Sequence, residues 1–213
     1  MEPRRGRSSW TTGADRLDRI AGIAAATVTP FGPGGDEIDL DFIVAHLEML
    51  KREGVHGVVP AGTNGEFPSL TMDEKKRVLA TVAGARGDLF MIAGVGSSSL
   101  PEVIELVNHA AGIGADAALV VPPFYFKDAA EQGITGFYRR VLESTGLPIF
   151  IYNIPIYSGI VISNEIIDSL AGHSNLAGIK DTGGDPERTR ELIGRYPELK
   201  IFGGSDSLVG DTV

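Results

Sequence analysis

Hydrophobic positions along the chain fall into seven short, continuous runs that are separated by amphipathic stretches. The runs are Ile23–Val28, Gly57–Ala61, Phe90–Ala93, Ala117–Val121, Pro148–Tyr152, Leu176–Lys180 and Leu199–Gly203. Because apolar and polar residues do not alternate within them, the runs predict strands that are covered on both faces, as in a parallel sheet.

The stretches between the runs carry helix signals. Thr71 is followed three positions later by Glu74, and this spacing predicts a capping box at the start of a helix. Ser99 and Glu102 repeat the signature. Further helices are predicted after Asp39, from about Ala129 to Ser144, after Ser163 and after Asp185. Strands and helices therefore alternate, which predicts parallel strands joined by right-handed crossovers.

Two α/β architectures fit this alternation: a doubly wound open sheet and a (β/α)8 barrel. A dinucleotide-binding open sheet has a Gly-x-Gly-x-x-Gly turn after its first strand, and the segment Thr29–Gly32 does not match it. Polar residues instead follow many of the runs, and a barrel carries its site at the carboxyl ends of its strands. The pattern favours the barrel.

Composition and charge narrow the class of partner. Of 213 residues, 43% are hydrophobic and 22% are charged, which is typical of a soluble globular protein. The formal charge of −9 argues against a nucleic-acid or anionic-membrane partner. No apolar run approaches the roughly 18 residues of a membrane helix. The absence of cysteine excludes disulfides, zinc-thiolate sites and thiol catalysis.

Residues 1–19 differ from the rest of the chain. They contain five arginines and lack the apolar core of a secretory signal. We expect a disordered extension or a start codon placed too early, with a transit peptide as the alternative that Glu2, Asp15 and Asp18 weaken. Residues 20–213 are predicted to form an incomplete catalytic barrel, and a cytoplasmic location is expected.

The loop after the second run is a candidate anion site. Gly62–Glu66 reads Gly-Thr-Asn-Gly-Glu, and the backbone N–H groups of such a tight loop can hold an anion. An ordinary strand-to-helix turn explains the same five residues equally well.

Lys180 and Tyr152 end two neighbouring runs. Lys180 follows four mostly apolar residues, so we expect it at the rim of the core or inside it. A lysine that is removed from water favours its neutral amine, which is a nucleophile toward carbonyl groups. Tyr152 lies one strand away at the same level and could relay protons to that amine. Lysines are more often structural than catalytic, so the prediction depends on the three features meeting at one barrel face.

Four segments resemble the dihydrodipicolinate synthase / N-acetylneuraminate lyase family, in order and well spaced from about Gly22 onward. The segments are Thr27–Phe31, Gly62–Glu66, Tyr152–Pro155 and Gly178–Thr182. The resemblance implies a (β/α)8 barrel that acts as a class I aldolase, lyase or dehydratase on pyruvate or a related 2-oxo acid.

The resemblance also implies roles for individual residues. Lys180 is expected to form a Schiff base with the keto carbon, with no metal or cofactor, and Tyr152 to act as general acid and base. Thr63 would link Tyr152 to a second tyrosine, matched by Tyr125, which in the family reaches into the neighbouring subunit of a homodimer or homotetramer. The substrate-binding positions are Gly62, Thr63, Asn64, Tyr157 and Gly204.

Two departures from the family pattern bear on function. Synthases of the lysine pathway place an arginine where this chain has Tyr157, and a phenol cannot supply the bidentate charge that holds a carboxylate. Asn64 stands where those synthases have a second threonine. The segments Gly62–Phe67 and Tyr152–Pro155 look more like the branches that cleave sugar-derived 2-oxo acids or hydroxy-oxo acids. Val213 comes before the eighth strand and later helices of the family, so we expect a truncated chain.

Three hypotheses follow. The first is a Schiff-base lyase or aldolase of the 2-oxo acid type. The second is a 4-hydroxy-tetrahydrodipicolinate synthase in which another group replaces the missing arginine. The third is a non-catalytic product that retains the site residues and serves only as an interaction partner.

Overall fold

The structure, a computed structural model, describes residues 17–205. Its strands are β1 (Ala24–Ala26), β2 (Gly57–Val59), β3 (Phe90–Gly94), β4 (Ala117–Val120), β5 (Ile149–Asn153), β6 (Leu176–Asp181) and β7 (Lys200–Gly203). Its helices are α1 (Leu40–Arg52), α2 (Met72–Ala85), α3 (Leu100–Gly112), α4 (Glu131–Glu143), α5 (Pro155–Ser158), α6 (Asn164–Asp168) and α7 (Pro186–Arg195), with a 3₁₀ turn at Phe67–Ser69.

The seven strands form one parallel sheet in the order β1-β2-β3-β4-β5-β6-β7. Each strand pairs with the strand that follows it in the chain, as successive units of a (β/α)8 barrel do. In the described part of the chain β1 and β7 are the two edges of the sheet. The predicted α/β class and all seven predicted strands are confirmed, with ends that differ by at most two residues.

Two apolar layers cover the two faces of the sheet. The helices pack on the outer face over side chains such as Leu79, Leu106 and Val141, which are fully buried. A second cluster, which includes Val59, Ile92 and Phe150, fills the inner face. Both faces of the strands are therefore apolar, which is why the runs in the sequence do not alternate.

The starts of α2 and α3 test the two predicted capping boxes. The Thr71 hydroxyl accepts from the Glu74 N–H, and the Glu74 carboxylate accepts from the Thr71 N–H, so the predicted capping box is confirmed. The same prediction for Ser99 is wrong. Ser97 donates to the Glu102 carboxylate at 2.6 Å and its Oγ accepts from the Ser99 N–H, so a hydroxyl two residues earlier takes the place of the cap.

An ion pair and a short helical turn cover the amino ends of the strands. Residues 17–19 are helical, although the sequence interpretation placed them in the extension; its residues 1–16 lie outside the described residues. Ile20 is buried against the inner cluster. Arg86 donates to the carbonyls of Leu89 and Gly114, both at 2.9 Å, and forms an ion pair with the buried Asp116. No helix within residues 17–205 has the length and apolar character needed to cross a membrane.

Candidate active site

Lys180 and Tyr152 are register partners on β6 and β5, at the carboxyl ends of the strands. Paired residues of neighbouring strands point to the same face of a sheet, and here the face is the inner one. The Lys180 Nζ lies 4.5 Å from the centroid of the Tyr152 ring. Lys180 is half-buried and Tyr152 is buried, and Phe202 on β7 continues the same row. The parallel register therefore brings the amine and the phenol together.

Thr63 joins this pair through the Tyr152 hydroxyl. The Thr63 Oγ1 and the Tyr152 Oη are 3.3 Å apart, within hydrogen-bond distance. Gly62 is buried beneath Thr63, and the Asn64 side chain is exposed. Three of the predicted site residues thus form a chain from the loop to the lysine, and Asn64 lies beside it.

The loop Gly62–Glu66 is held in a strained conformation from both sides. Ala61 before it and Glu66 at its end have positive φ angles of 52° and 55°, which residues with a Cβ rarely adopt. The Thr29 hydroxyl donates to the Gly65 carbonyl at 2.7 Å and anchors the loop to the segment after β1. The cost of these conformations is typical of a loop whose backbone has a function.

Two backbone N–H groups of this loop are free to bind an anion. The N–H groups of Gly65 and Glu66 turn back onto the carbonyls of Gly62 and Thr63. Among the described residues the N–H groups of Thr63 and Asn64 donate to no protein acceptor. Successive free N–H groups in a tight loop form a concave site for an anion such as a carboxylate.

The ends of β5 and β6 are fixed by a buried polar network. The Asn153 amide donates to the Asp181 carboxylate at 3.0 Å, and its oxygen accepts from the Ile162 N–H. Arg188 forms an ion pair with Asp181 at 3.0 Å. Because Asn153 and Asp181 directly follow Tyr152 and Lys180 in the chain, this network fixes the two strand ends that carry the amine and the phenol.

Gly204 lies against the lysine. A Cβ at this position would lie 3.0 Å from the Lys180 Cε and 2.3 Å from the Thr182 Oγ1, so any other residue would force a neighbouring side chain to move. The Thr182 Oγ1 is buried and has no hydrogen-bond partner among the described residues. A buried hydroxyl without a partner is unusual in a folded protein and marks a place where a ligand or a rearrangement supplies one.

Inside the barrel the amine borders a small apolar cavity of about 30 Å³. Its walls come from all around the sheet: Ala24, Val59, Ile92, Leu119, Phe150, Lys180 and Phe202. The Lys180 stem therefore lies among hydrocarbon, with its amine toward the Tyr152 ring. Among residues 17–205, Lys180 makes no ion pair with an acidic side chain.

The remaining predicted site residues lie apart from this group. Tyr125 is 77% exposed and packs edge-on against Phe126, with ring centroids 5.1 Å apart. Tyr157 is 66% exposed on the short helix α5. Within the described chain neither side chain makes a hydrogen bond to Thr63, Tyr152 or Lys180. No group of three or more His, Asp or Glu that could hold a metal ion occurs in this part of the chain.

Sequence reasoning assigned no role to several residues that support the site. Asp181 and Thr182 follow Lys180 directly, and the polar end of an apolar strand was the signal that could have found them. Lys75 is a further case, because it is buried on α2 beside the loop. A lysine in the first turn of an amphipathic helix gives no sign of burial in the sequence.

The chain is similar to known proteins in sequence and in structure. The family model described as "Dihydrodipicolinate synthetase family" matches residues 19–213. An uncharacterized DapA-like lyase of Chloroflexus aurantiacus is 40% identical over 194 residues, which cover 88% of this chain and 64% of that protein.

Solved structures give the same picture. The dihydrodipicolinate synthase from Acinetobacter baumannii complexed with pyruvate has a TM-score of 0.85 and 33% identity, covering 91% of this chain and 66% of that one. The 2-keto 3-deoxygluconate aldolase from Picrophilus torridus has a TM-score of 0.83 and 31% identity, covering 89% and 68%. This chain therefore spans about two thirds of the length of these relatives.

Proposed function

Because the chain belongs to the dihydrodipicolinate synthetase family, we propose that it is a Schiff-base lyase acting on pyruvate or a related 2-oxo acid. Lys180 is the proposed nucleophile and Tyr152 the proposed general acid and base. The observation that carries the proposal is the register pair itself, in which the lysine amine lies 4.5 Å from the tyrosine ring and the tyrosine hydroxyl lies 3.3 Å from Thr63. No metal or cofactor enters the proposed chemistry.

The first step is binding of the substrate carboxylate to the loop. The free N–H groups of Thr63 and Asn64 hold the carboxylate, which directs the neighbouring keto group toward Lys180. The neutral amine attacks the keto carbon and forms a carbinolamine. Tyr152 then protonates the departing hydroxyl, water leaves, and a protonated imine remains on Lys180.

The imine then serves as the electron sink for carbon–carbon cleavage. Tyr152, now a phenolate, takes the proton from the hydroxyl at C4, and the C3–C4 bond breaks. Its electron pair moves into the imine to form an enamine, and an aldehyde leaves. The enamine takes a proton at C3, and water hydrolyses the imine to release pyruvate and free Lys180. Condensation is the reverse of these steps.

For the substrate we propose a sugar-derived 2-oxo acid. The supporting observation is Tyr157, which presents an exposed phenol where the lysine-pathway synthases carry a guanidinium. The similarity to an aldolase of this substrate class agrees with it. The second candidate is 4-hydroxy-tetrahydrodipicolinate synthase, supported by the similarity to a pyruvate-bound synthase.

One experiment tests the proposed nucleophile. The chain is incubated with pyruvate and reduced with borohydride, and the adduct is located by intact mass and peptide mapping. We expect a single adduct on Lys180, no adduct in Lys180→Met, and a normal adduct in Lys200→Met, which removes another strand lysine. A wild-type chain that forms no adduct would support the non-catalytic alternative.

A second experiment separates the two substrate classes. Condensation of pyruvate with aspartate semialdehyde is compared with cleavage of sugar-derived 2-oxo acids, in the wild type and in Tyr157→Arg. We expect the wild type to prefer cleavage and the variant to gain condensation activity, because it restores a bidentate cation. Wild-type condensation that exceeds cleavage would favour the synthase.

We further propose that Tyr125 serves the site of a neighbouring subunit in a homodimer or homotetramer. Its exposure on the loop after β4 supports this, because most of its surface stays open to a neighbouring subunit although Phe126 packs against its ring. Light scattering measures the oligomer, and Tyr125→Phe is expected to slow turnover without changing the adduct mass. A cytoplasmic location stays a prediction from the sequence.

A further inference from the structure

Lys75 is the only buried lysine among residues 17–205, with 6% of its surface exposed. It lies in the first half of α2, the helix that follows the loop Gly62–Glu66 and the 3₁₀ turn at Phe67–Ser69. Burying an ammonium group costs free energy unless the group is hydrogen-bonded or paired, so Lys75 is expected to have partners within the protein.

The amine of Lys75 makes two contacts. It donates to the Gly96 carbonyl at 3.1 Å, just beyond the end of β3. It also lies 5.7 Å from the centroid of the Phe67 ring, in cation–π contact. Burial lowers the pKa of Lys75, and the nearby carboxylate of Glu102 opposes that shift. The amine therefore bridges Phe67, the first residue after the loop, and the backbone that follows β3.

Phe67 connects this bridge to the site. Its ring is buried and fits against Gly96, where a Cβ would lie 2.3 Å from the ring. Phe67 also lines a cavity of about 10 Å³ together with Gly62, Gly96 and Tyr152. The Phe67 N–H also donates to the Gly62 carbonyl at 3.4 Å, which links the backbone that carries the ring to the start of the loop.

We propose that Lys75 is a positioning residue for the anion-binding loop, holding Phe67 against Gly96 so that the N–H groups of Thr63 and Asn64 converge on the substrate carboxylate. This inference rests on the proposed function, because it assigns the loop to that carboxylate. Lys75 does not touch the substrate; it acts through Phe67. Its loss should therefore weaken substrate binding more than it slows the chemistry at Lys180.

The test compares Lys75→Met with Lys76→Met in the full chain. Both variants remove one lysine from α2, but Lys76 is paired with Glu105 on the outer surface. Pyruvate adducts are trapped with borohydride over a range of pyruvate concentrations. For Lys75→Met we expect the half-saturating concentration to rise about tenfold with little change in the maximal trapping rate. Lys76→Met should match the wild type, and Lys75→Arg should restore most of the binding because it keeps charge and donor.

Hydrogen exchange of residues 62–67 gives a second readout that needs no substrate. We expect faster exchange in Lys75→Met and unchanged exchange in Lys76→Met. If Lys75→Met does not fold, as judged by thermal melting, Lys75→Gln replaces it and a smaller rise is expected. Unchanged half-saturation and unchanged exchange, or an equal change in Lys76→Met, would overturn the inference. If the wild type traps no pyruvate, the proposed function fails, and hydrogen exchange alone decides the role of Lys75.

Discussion

The two ends of the sheet differ in whether every polar group next to the strands has a partner within the described chain. At the amino end, Asp116 is paired with Arg86, accepts from the Met91 N–H at 2.8 Å, and has Arg19 at 3.8 Å. At the carboxyl end, Lys180 lies against a ring face and the Thr182 hydroxyl has no partner among the described residues. Both ends carry charge next to apolar strands. At the carboxyl end Asp181 is satisfied by Asn153 and Arg188, but Lys180 and Thr182 beside it have no such partner among the described residues.

The difference separates stability from function along one set of strands. A buried charge that is fully hydrogen-bonded within the chain is held in one place and has nothing left to offer a ligand. An amine or a loop N–H without a protein acceptor keeps its bonding capacity for a substrate. This is the division expected of barrels, in which the amino face stabilises the fold and the carboxyl face carries the chemistry.

The largest expected effect is at the carboxyl end. Tyr152→Phe removes the hydroxyl that we propose as the proton relay, and loss of a general acid–base group costs about 10²–10⁴-fold in rate. Exchange of the pyruvate methyl protons for deuterium, followed by NMR, reports enamine formation without any aldehyde partner. We expect exchange to fall by about this factor while the melting temperature changes little.

Tyr138→Phe is the matched control for that experiment. Tyr138 is also buried, but it lies in the outer layer, where its hydroxyl donates to the Val120 carbonyl at 3.1 Å. This variant should lose some stability and keep its exchange rate. Equal exchange rates in the wild type and Tyr152→Phe would remove the tyrosine from the proposed mechanism. The assignment of the chemistry to the carboxyl end would then lose its proton relay.

The amino end should respond in the opposite sense. Arg86→Met leaves Asp116 without its buried ion-pair partner, and breaking such a pair costs about 3 kcal/mol of unfolding free energy. Urea denaturation measures this loss. The exposed pair of Arg190 and Glu187 gives the control, because Arg190→Met should cost less than about 1 kcal/mol.

Deuterium exchange of pyruvate by the folded fraction of Arg86→Met should match the wild type. If the folded variant loses exchange activity in proportion to its loss of unfolding free energy, the two ends are coupled. Stability and function would then not be separated between the two ends of the sheet.

The positions of the strands could be predicted from the sequence, because strands that are buried on both faces consist of continuous apolar runs. The sequence was also sufficient to place Tyr152 and Lys180 at one edge, since parallel strands align their carboxyl ends. It could not reveal the bridge from Lys75 to Phe67, because a helix lysine is ordinarily solvated and only the packing of α2 against the loop buries it. The Ser99 prediction was wrong for a similar reason, since Ser97 lies closer to Glu102 in space although its spacing does not fit the capping pattern.

A smaller effect is expected from adding one methyl group beside the lysine. In Gly204→Ala the new Cβ would lie 3.0 Å from the Lys180 Cε and 2.3 Å from the Thr182 Oγ1, so one of these side chains has to move. A displaced amine should form the pyruvate adduct about tenfold more slowly. Gly194→Ala on α7 is the control, because its Cβ meets nothing within 4 Å. An unchanged trapping rate in Gly204→Ala would mean that Lys180 tolerates displacement and that the packing around it is not part of the site.

The smallest effect is expected from Thr182, and it tests whether a buried hydroxyl at the carboxyl end lacks a hydrogen-bond partner. Thr182→Val replaces a buried hydroxyl that has no described partner by a methyl group of the same shape. Removing an unsatisfied polar atom relieves its desolvation penalty, so we expect the unfolding free energy to rise by about 1 kcal/mol. Thr189→Val is the control of opposite sign, because the buried Thr189 hydroxyl donates to the Asp185 carbonyl at 3.3 Å and its loss should destabilise the fold. Urea denaturation of both variants measures the two signs. A destabilised Thr182→Val would show that this hydroxyl is satisfied in the folded chain, and the carboxyl end would then close its hydrogen bonds as the amino end does.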